Sequence, residues 1–214
     1  MKKVNLEVIL KKYMRVILVE DNNIILHGLM GLFAEVDDIE LLGAYETGEE
    51  ALPEILEQKP DIVLTDIGLP EMSGVQLIAE VKKVLPDMKF VVHTIFEDSK
   101  TVYAALKAGA AGYILKSGTS EDIISILYYI NGGGAILSPK ISLNILNEFK
   151  ASAKNGDPEG ILTPDEIQVL TKFSRAMTYL DIASAMNISI YDVIDHVKNV
   201  YVKLQAKYKD KPIE

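Results

Sequence analysis

Five short apolar runs, rich in β-branched residues, recur along the first two-thirds of the chain. They are Arg15–Glu20 (RVILVE), Ile39–Tyr45, Ile62–Thr65, Lys89–Thr94 (KFVVHT) and Gly112–Leu115. Unbroken apolar runs of four to seven residues, bounded by turn residues, read as strands buried on both faces. Helical patterns separate them. One runs from Ile24 to about Val36. Another opens at Thr47 with Glu50 completing a capping box, and Pro53 in its second turn predicts a late start or a kink. The third spans Ser73–Leu85 before Pro86, and the fourth Ser99–Ala108 before Gly109. The fifth, capped by Thr119 or Ser120, reaches about Ile130. Strands alternating with helices predict an α/β doubly wound, five-stranded parallel sheet.

Right-handed crossovers bring every strand's carboxyl end to one edge, where open α/β sheets hold their ligands. That edge collects Glu20 and Asp21 from the first strand, Asp66 from the third, Thr94 from the fourth and Lys116 from the fifth. Asp66 lies in DIVLTDIGLPEMSG, where Gly68, Pro70 and Gly74 end the strand abruptly. A lone carboxylate is costly to bury, and three converging carboxylates repel one another unless a cation joins them. Hard oxygen donors suit Mg²⁺. Asp21 and Asp66 would ligate it directly, Glu20 through water, and the Gly68 backbone carbonyl would add a further ligand. Asp66 then reads as a nucleophile that takes a phosphoryl group as an acyl phosphate. Lys116 supplies a point charge to the phosphoryl oxygens and Thr94 a hydroxyl. Each residue alone has a plainer reading: Glu20 and Asp21 as acids at a helix N-terminus, Asp66 as a turn cap, Lys116 as a solvated lysine. His93 reads as a packed histidine.

Composition narrows the setting. The chain has no cysteine, which excludes disulfides and thiolate metal sites and fits a reducing cytoplasm. No apolar run approaches the roughly 20 residues of a membrane span. Residues 1–13 carry charges too early for a secretory signal and read as an upstream start or a short extra helix. The net charge of −9 is uneven. Residues 1–150 hold 14 Lys and Arg against 22 Asp and Glu, whereas residues 151–214 hold 8 against 9. Two modules are implied.

Gly132–Gly134 breaks the chain, and Ser138-Pro139 restarts it as a helix to about Ala153. KNGDPEG, residues 154–160, has linker composition. Thr163, Pro164 and Glu166 then form an N-cap, first helical residue and capping-box acid. Three helices follow, near 163–175, 178–186 and 189–207, with Asn187-Ile188-Ser189 turning between the last two.

Residues 15–135 resemble a response-regulator receiver domain, carried by VILVED, DIVLTDIGLPEMSG, VVHT and GYILKS in that order. The resemblance implies that Asp66 is the phosphoacceptor, Glu20 and Asp21 the acid pair, Thr94 the switch hydroxyl, Tyr113 the switch aromatic and Lys116 the conserved-type lysine. It implies a sensor histidine kinase as phosphoryl donor and no enzymatic activity beyond self-phosphorylation and self-dephosphorylation. Residues 162–206 resemble a LuxR/NarL-type helix-turn-helix through LTPDE, DIAxAMNIS, HVKN and KL. That implies a recognition helix in the major groove of promoter DNA, with His196, Lys198, Asn199 and Lys203 as contacts, and a homodimer on activation. The expected organisation is a receiver over 14–135, a helical linker over 136–160 and a helix-turn-helix over 161–214. Where the family has Thr-Val-Lys, this chain has Asp192-Val193-Ile194 followed by Asp195, and carboxylates oppose phosphate contact. The alternative is therefore a receiver-regulated protein-interaction module with exposed Tyr179, Leu180 and Ile194.

Overall fold

The computed structural model describes residues 13–208, apart from 97, 117–119, 135, 138 and 155–161. The expected segment 1–13 therefore falls almost wholly outside the described residues, as do the Thr119 cap, Ser138 and nearly all of the linker tract 154–160.

The elements run β1 (Met14–Val19), α1 (Asn23–Ala34), β2 (Ile39–Tyr45), α2 (Gly48–Gln58), β3 (Ile62–Thr65), α3 (Gly74–Val84), β4 (Lys89–Thr94), α4 (Ser99–Ala108), β5 (Gly112–Leu115) and α5 (Ser120–Asn131). Then come β6 (Ile136–Leu137), α6 (Pro139–Lys154), α7 (Pro164–Phe173), α8 (Tyr179–Met186) and α9 (Ile190–Tyr208). The five expected strands form a parallel sheet in the order β2-β1-β3-β4-β5, and the two-residue β6 extends it beside β5. The order reverses between β1 and β3, which is where such sheets open a crevice.

Two apolar layers enclose the sheet. Val16, Leu18, Ile62, Leu64, Val91 and Ile114 pack under α1 and α5. Ile17, Val19, Val63, Phe90, Val92 and Tyr113 pack under α2, α3 and α4. The second layer does not stop at α4. It continues through Ile141, Ile145 and Phe149 of α6 into Val169, Leu170, Val193 and Val197 of the last three helices. Tyr103 of α4 donates to the Asn144 carbonyl of α6 at 3.0 Å. Helix α9 packs along α4, with Val202 and Ala206 facing Lys107–Gly109 across a cleft. On α5, the Tyr129 ring stands 4.7 Å from Tyr179 of α8, which meets Phe173 edge-on at 4.6 Å.

The capping box expected at Thr163 closes, and one that was not expected closes at Ser73; at Thr47 the structure shows the half in which the hydroxyl accepts the Glu50 N–H. Helix α2 does not start late: it runs from its Thr47 cap to Gln58 with Pro53 inside it. The bond that proline forfeits would have run to the carbonyl of Glu49, an exposed residue.

Gly74 fixes the approach of α3 to the sheet edge. A Cβ there would lie 1.9 Å from the Asp66 carbonyl oxygen, an overlap with backbone. Its N–H donates to the Ile67 carbonyl at 3.1 Å, tying the helix start to the strand end. Gly74→Ala is expected to destabilise the chain by about 3 kcal/mol, read as a lower midpoint in urea unfolding. An unchanged midpoint would mean that the loop yields freely.

Candidate phosphoacceptor site

Asp66 follows β3 directly and is almost fully buried. Its Oδ1 accepts the N–H groups of Ile67 (2.6 Å) and Gly68 (3.3 Å). Its Oδ2 accepts Lys116 Nζ at 2.6 Å. The same ammonium reaches Glu20 at 2.7 and 2.8 Å, so one cation from the end of β5 joins acids from β1 and β3. Thr94 is fully buried at the end of β4, and its hydroxyl accepts the Phe96 N–H at 3.4 Å. Tyr113 lies inside the sheet and donates its hydroxyl to the Phe96 carbonyl at 2.8 Å. Glu20, Asp21 and Asp66 each bring a carboxylate oxygen within 4.8 Å of the others. Asp21 is exposed and the other two are buried, so the group opens to solvent on one side.

The electrostatics follow. Burial pushes the Asp66 carboxyl up, but hydrogen bonds from Lys116 and Thr94 outweigh it and hold the group below its ordinary range. At Glu20 burial prevails over Lys116, and the carboxyl rises. Burial alone would lower Lys116; its bonds to Asp66 and Glu20 raise it instead. Asp66 is thus an ionised carboxylate held in place at neutral pH, with the Lys116 ammonium beside it. Three carboxylates with one open side form a set of hard oxygen donors that could bind Mg²⁺.

The comparisons agree with this geometry. The response regulator receiver domain model matches residues 16–128. The response regulator protein VraR of Staphylococcus aureus is 32 % identical over 193 residues, covering 90 % of this chain and 91 % of VraR. This chain belongs to the response regulators. Its type is that of NarL and LuxR. A LuxR-family response regulator from Aurantimonas sp. SI85-9A1 superposes with a TM-score of 0.60 at 26 % identity, over 64 % of this chain and 98 % of that one. RcsB from Salmonella enterica serovar Typhimurium, solved bound to a promoter in the presence of the phosphomimetic BeF3-, shares the fold at TM-score 0.58 and 24 % identity, over 91 % and 93 % of the two chains.

The four α9 residues expected at DNA stand in different settings. Asn199 is exposed and His196 half-buried. Lys198 lies 3.6 Å from the Asp195 carboxylate, and its Nζ is 3.6 Å from where a Cβ on Gly133 would sit. Lys203 bonds to both oxygens of buried Glu166, at 2.7 and 2.9 Å. Asp192 accepts the Ser189 N–H (2.8 Å) and hydroxyl (2.7 Å), while its own N–H donates back to that hydroxyl at 3.1 Å. These bonds hold its carboxyl below the ordinary range. The acid that departs from the family pattern is thus the third residue of a capping box, and Ser189-x-x-Asp192 is the sequence signal for it. Tyr179 and Ile194 are half-buried rather than exposed, Tyr179 with its ring against Tyr129 and Phe173. Phe96, whose carbonyl accepts the Tyr113 hydroxyl, carries no motif that would have marked it.

Two measurements bear on these neighbours. Removing one partner of a buried ion pair strands the other charge. Lys203→Ala is therefore expected to cost about 3 kcal/mol in unfolding free energy, whereas a lysine serving DNA alone would leave stability unchanged. His93 is 6 % exposed, with Nδ1 unpartnered among the described residues. Burial, with Lys116 nearby, lowers its pKa to about 4. Between pH 6.5 and 4 the unfolded chain binds a proton that the folded chain refuses, so stability falls as pH falls through that window, by roughly 3 kcal/mol at most. His93→Leu should flatten the pH dependence of the urea midpoint over that range. An unaltered slope would assign it to other groups.

Proposed function

We propose that this chain is a transcription regulator in which Asp66 is phosphorylated by a sensor histidine kinase and the last three helices bind promoter DNA. The observation that carries the reading is the convergence of Asp66, Lys116, Glu20, Asp21 and Thr94 at one sheet edge. An Asp66 carboxylate oxygen attacks the phosphorus of a phosphohistidine. The phosphorus–nitrogen bond breaks, and the imidazole leaves with the electron pair and takes a proton from solvent. Lys116 stays with the incoming phosphoryl oxygens, Thr94 donates to one of them, and Tyr113 holds the switch loop. Glu20, Asp21, Asp66 and the Gly68 carbonyl would hold Mg²⁺, which when bound neutralises phosphoryl charge. No reaction on a separate substrate is proposed, and the chain would work in the cytoplasm.

Residues 14–135 would form the receiver, 136–160 the helical linker and 161–214 the helix-turn-helix. Here α9 lies along α4, so a charge event at Asp66 that shifts the α4 face frees α9 for DNA, with His196, Lys198, Asn199 and Lys203 as contacts and a homodimer as the bound form. A coupling of about tenfold between phosphorylation and DNA affinity is typical of such switches.

A second reading rests on one observation: Leu180 and Tyr191 are 69 % and 74 % exposed, and Asp181 next to the first and Asp195 four residues after the second are exposed as well. Exposed apolar and acidic side chains fit a protein partner better than phosphates.

The test incubates the full chain with Mg²⁺ and acetyl phosphate, resolves phosphorylated protein on a phosphate-affinity gel, and selects DNA from a random pool. Wild type is expected to label and Asp66→Asn to remain unlabelled. The phosphorylated form should enrich a repeated or palindromic site. Labelling without any enriched DNA favours the second reading, and no labelling at Asp66 defeats the proposal.

A further inference from the structure

Thr65 ends β3 and is fully buried, in a strand whose other residues, Ile62, Val63 and Leu64, are purely apolar. Alternation along the strand puts it on the same face as Val63. Valine has the same shape and would serve that apolar layer, so packing alone does not call for a hydroxyl. A buried hydroxyl needs a partner. Thr65 finds one in the main chain: its Oγ1 donates to the Asp66 carbonyl at 2.9 Å. The same carbonyl is closely approached by the start of α3, where a Cβ on Gly74 would lie 1.9 Å from its oxygen. On the other side of the residue, the Asp66 N–H donates to the Val19 carbonyl of β1 at 2.9 Å. The backbone of Asp66 is therefore held at both ends.

The peptide that joins Asp66 to Ile67 is planar and trans, so its carbonyl and its N–H point in opposite directions. The oxygen of this plane takes the Thr65 hydroxyl. Its N–H, that of Ile67, donates to Asp66 Oδ1 at 2.6 Å. A turn of the plane would break both bonds together. The carboxylate needs such a hold, because the terminal torsion of an aspartate is broad. With Oδ1 on the N–H groups of Ile67 and Gly68 and Oδ2 on Lys116, the two oxygens have different partners. We propose that Thr65 is a positioning residue for phosphoryl transfer: its hydroxyl fixes the Asp66–Ile67 peptide plane, and that plane fixes the Asp66 carboxylate in the orientation that attacks phosphorus. The inference rests on the phosphoacceptor reading of Asp66. Its weight comes from orientation, since small misplacements of reacting atoms cost large factors in rate.

The test uses the full chain with Mg²⁺ and acetyl phosphate. In the labelling step an Asp66 oxygen bonds to phosphorus, the bond from phosphorus to the acetyl oxygen breaks, and acetate leaves with the electron pair. Initial rates are read on a phosphate-affinity gel over a range of donor concentrations. Thr65→Val is expected to lower the maximal rate severalfold and to leave the half-saturating donor concentration unchanged. Thr65→Ser, which keeps the hydroxyl, should restore most of the rate. A role in packing alone predicts the reverse order, because Thr65→Ser loses a buried methyl group and Thr65→Val does not. In isotope-labelled protein the Ile67 amide proton is expected downfield, as its short bond to a carboxylate requires. It should move upfield in Thr65→Val and stay in place in Thr65→Ser. If Thr65→Val fails to fold, Thr65→Ala against Thr65→Ser decides, since that pair differs only in the hydroxyl. A Thr65→Val rate equal to wild type, or a slower rate with the Ile67 amide unmoved, overturns the positioning role while leaving Asp66 as phosphoacceptor. A wild-type chain that never labels at Asp66 overturns both.

Discussion

The Lys116 ammonium, held between Glu20 and Asp66, is the contact on which the sheet edge depends. Two buried carboxylates from adjacent strands would repel across a low-dielectric gap, and without a cation one of them would have to take up a proton. Lys116 reaches both at under 3 Å and thereby ties the end of β5 to β1 and β3. Its consequence for chemistry is asymmetric. Asp66, with backbone N–H groups and Thr94 as additional partners, stays ionised, whereas Glu20 is pushed up. Two neighbouring acids thus differ in how readily each takes up a proton.

From that edge the structure is continuous with the far end of the molecule. Tyr113 links the pocket to the loop before α4, Tyr103 links α4 to α6, and α9 lies along α4. These are contiguous physical contacts, and a shift in α4 has to be met by the helices packed on it. The apolar cluster that covers one face of the sheet also contains the cores of α6, α7 and α9. The described portion of α6 is therefore a packed element of the body.

How much was legible in the sequence follows from the range of each interaction. The strands were plain because burial on both faces leaves unbroken apolar runs. The acid group was plain because parallel topology sends every strand end to one edge. Other features depend on contacts that no local pattern encodes. Glu166 and Lys203 are 37 residues apart, so a lysine on the last helix reads as a free cation until its partner is seen. Strand β6 is two residues long and owes its existence to β5 beside it. Pro53 reads as a helix breaker, yet the helix contains it. Asp192 was legible in principle, because Ser189 three residues earlier announces a capping box, yet its distance from the family pattern drew attention to charge instead.

The internal pairing of cations on α9 has a thermodynamic consequence for any polyanion it meets. Lys203 is engaged by Glu166 and Lys198 by Asp195. A lysine already neutralised by a protein carboxylate displaces few condensed counterions when it approaches a phosphate, and each such lysine removes about one from the slope of log affinity against log salt. A nucleic-acid complex of this chain would therefore draw less on ion release than its lysine count suggests.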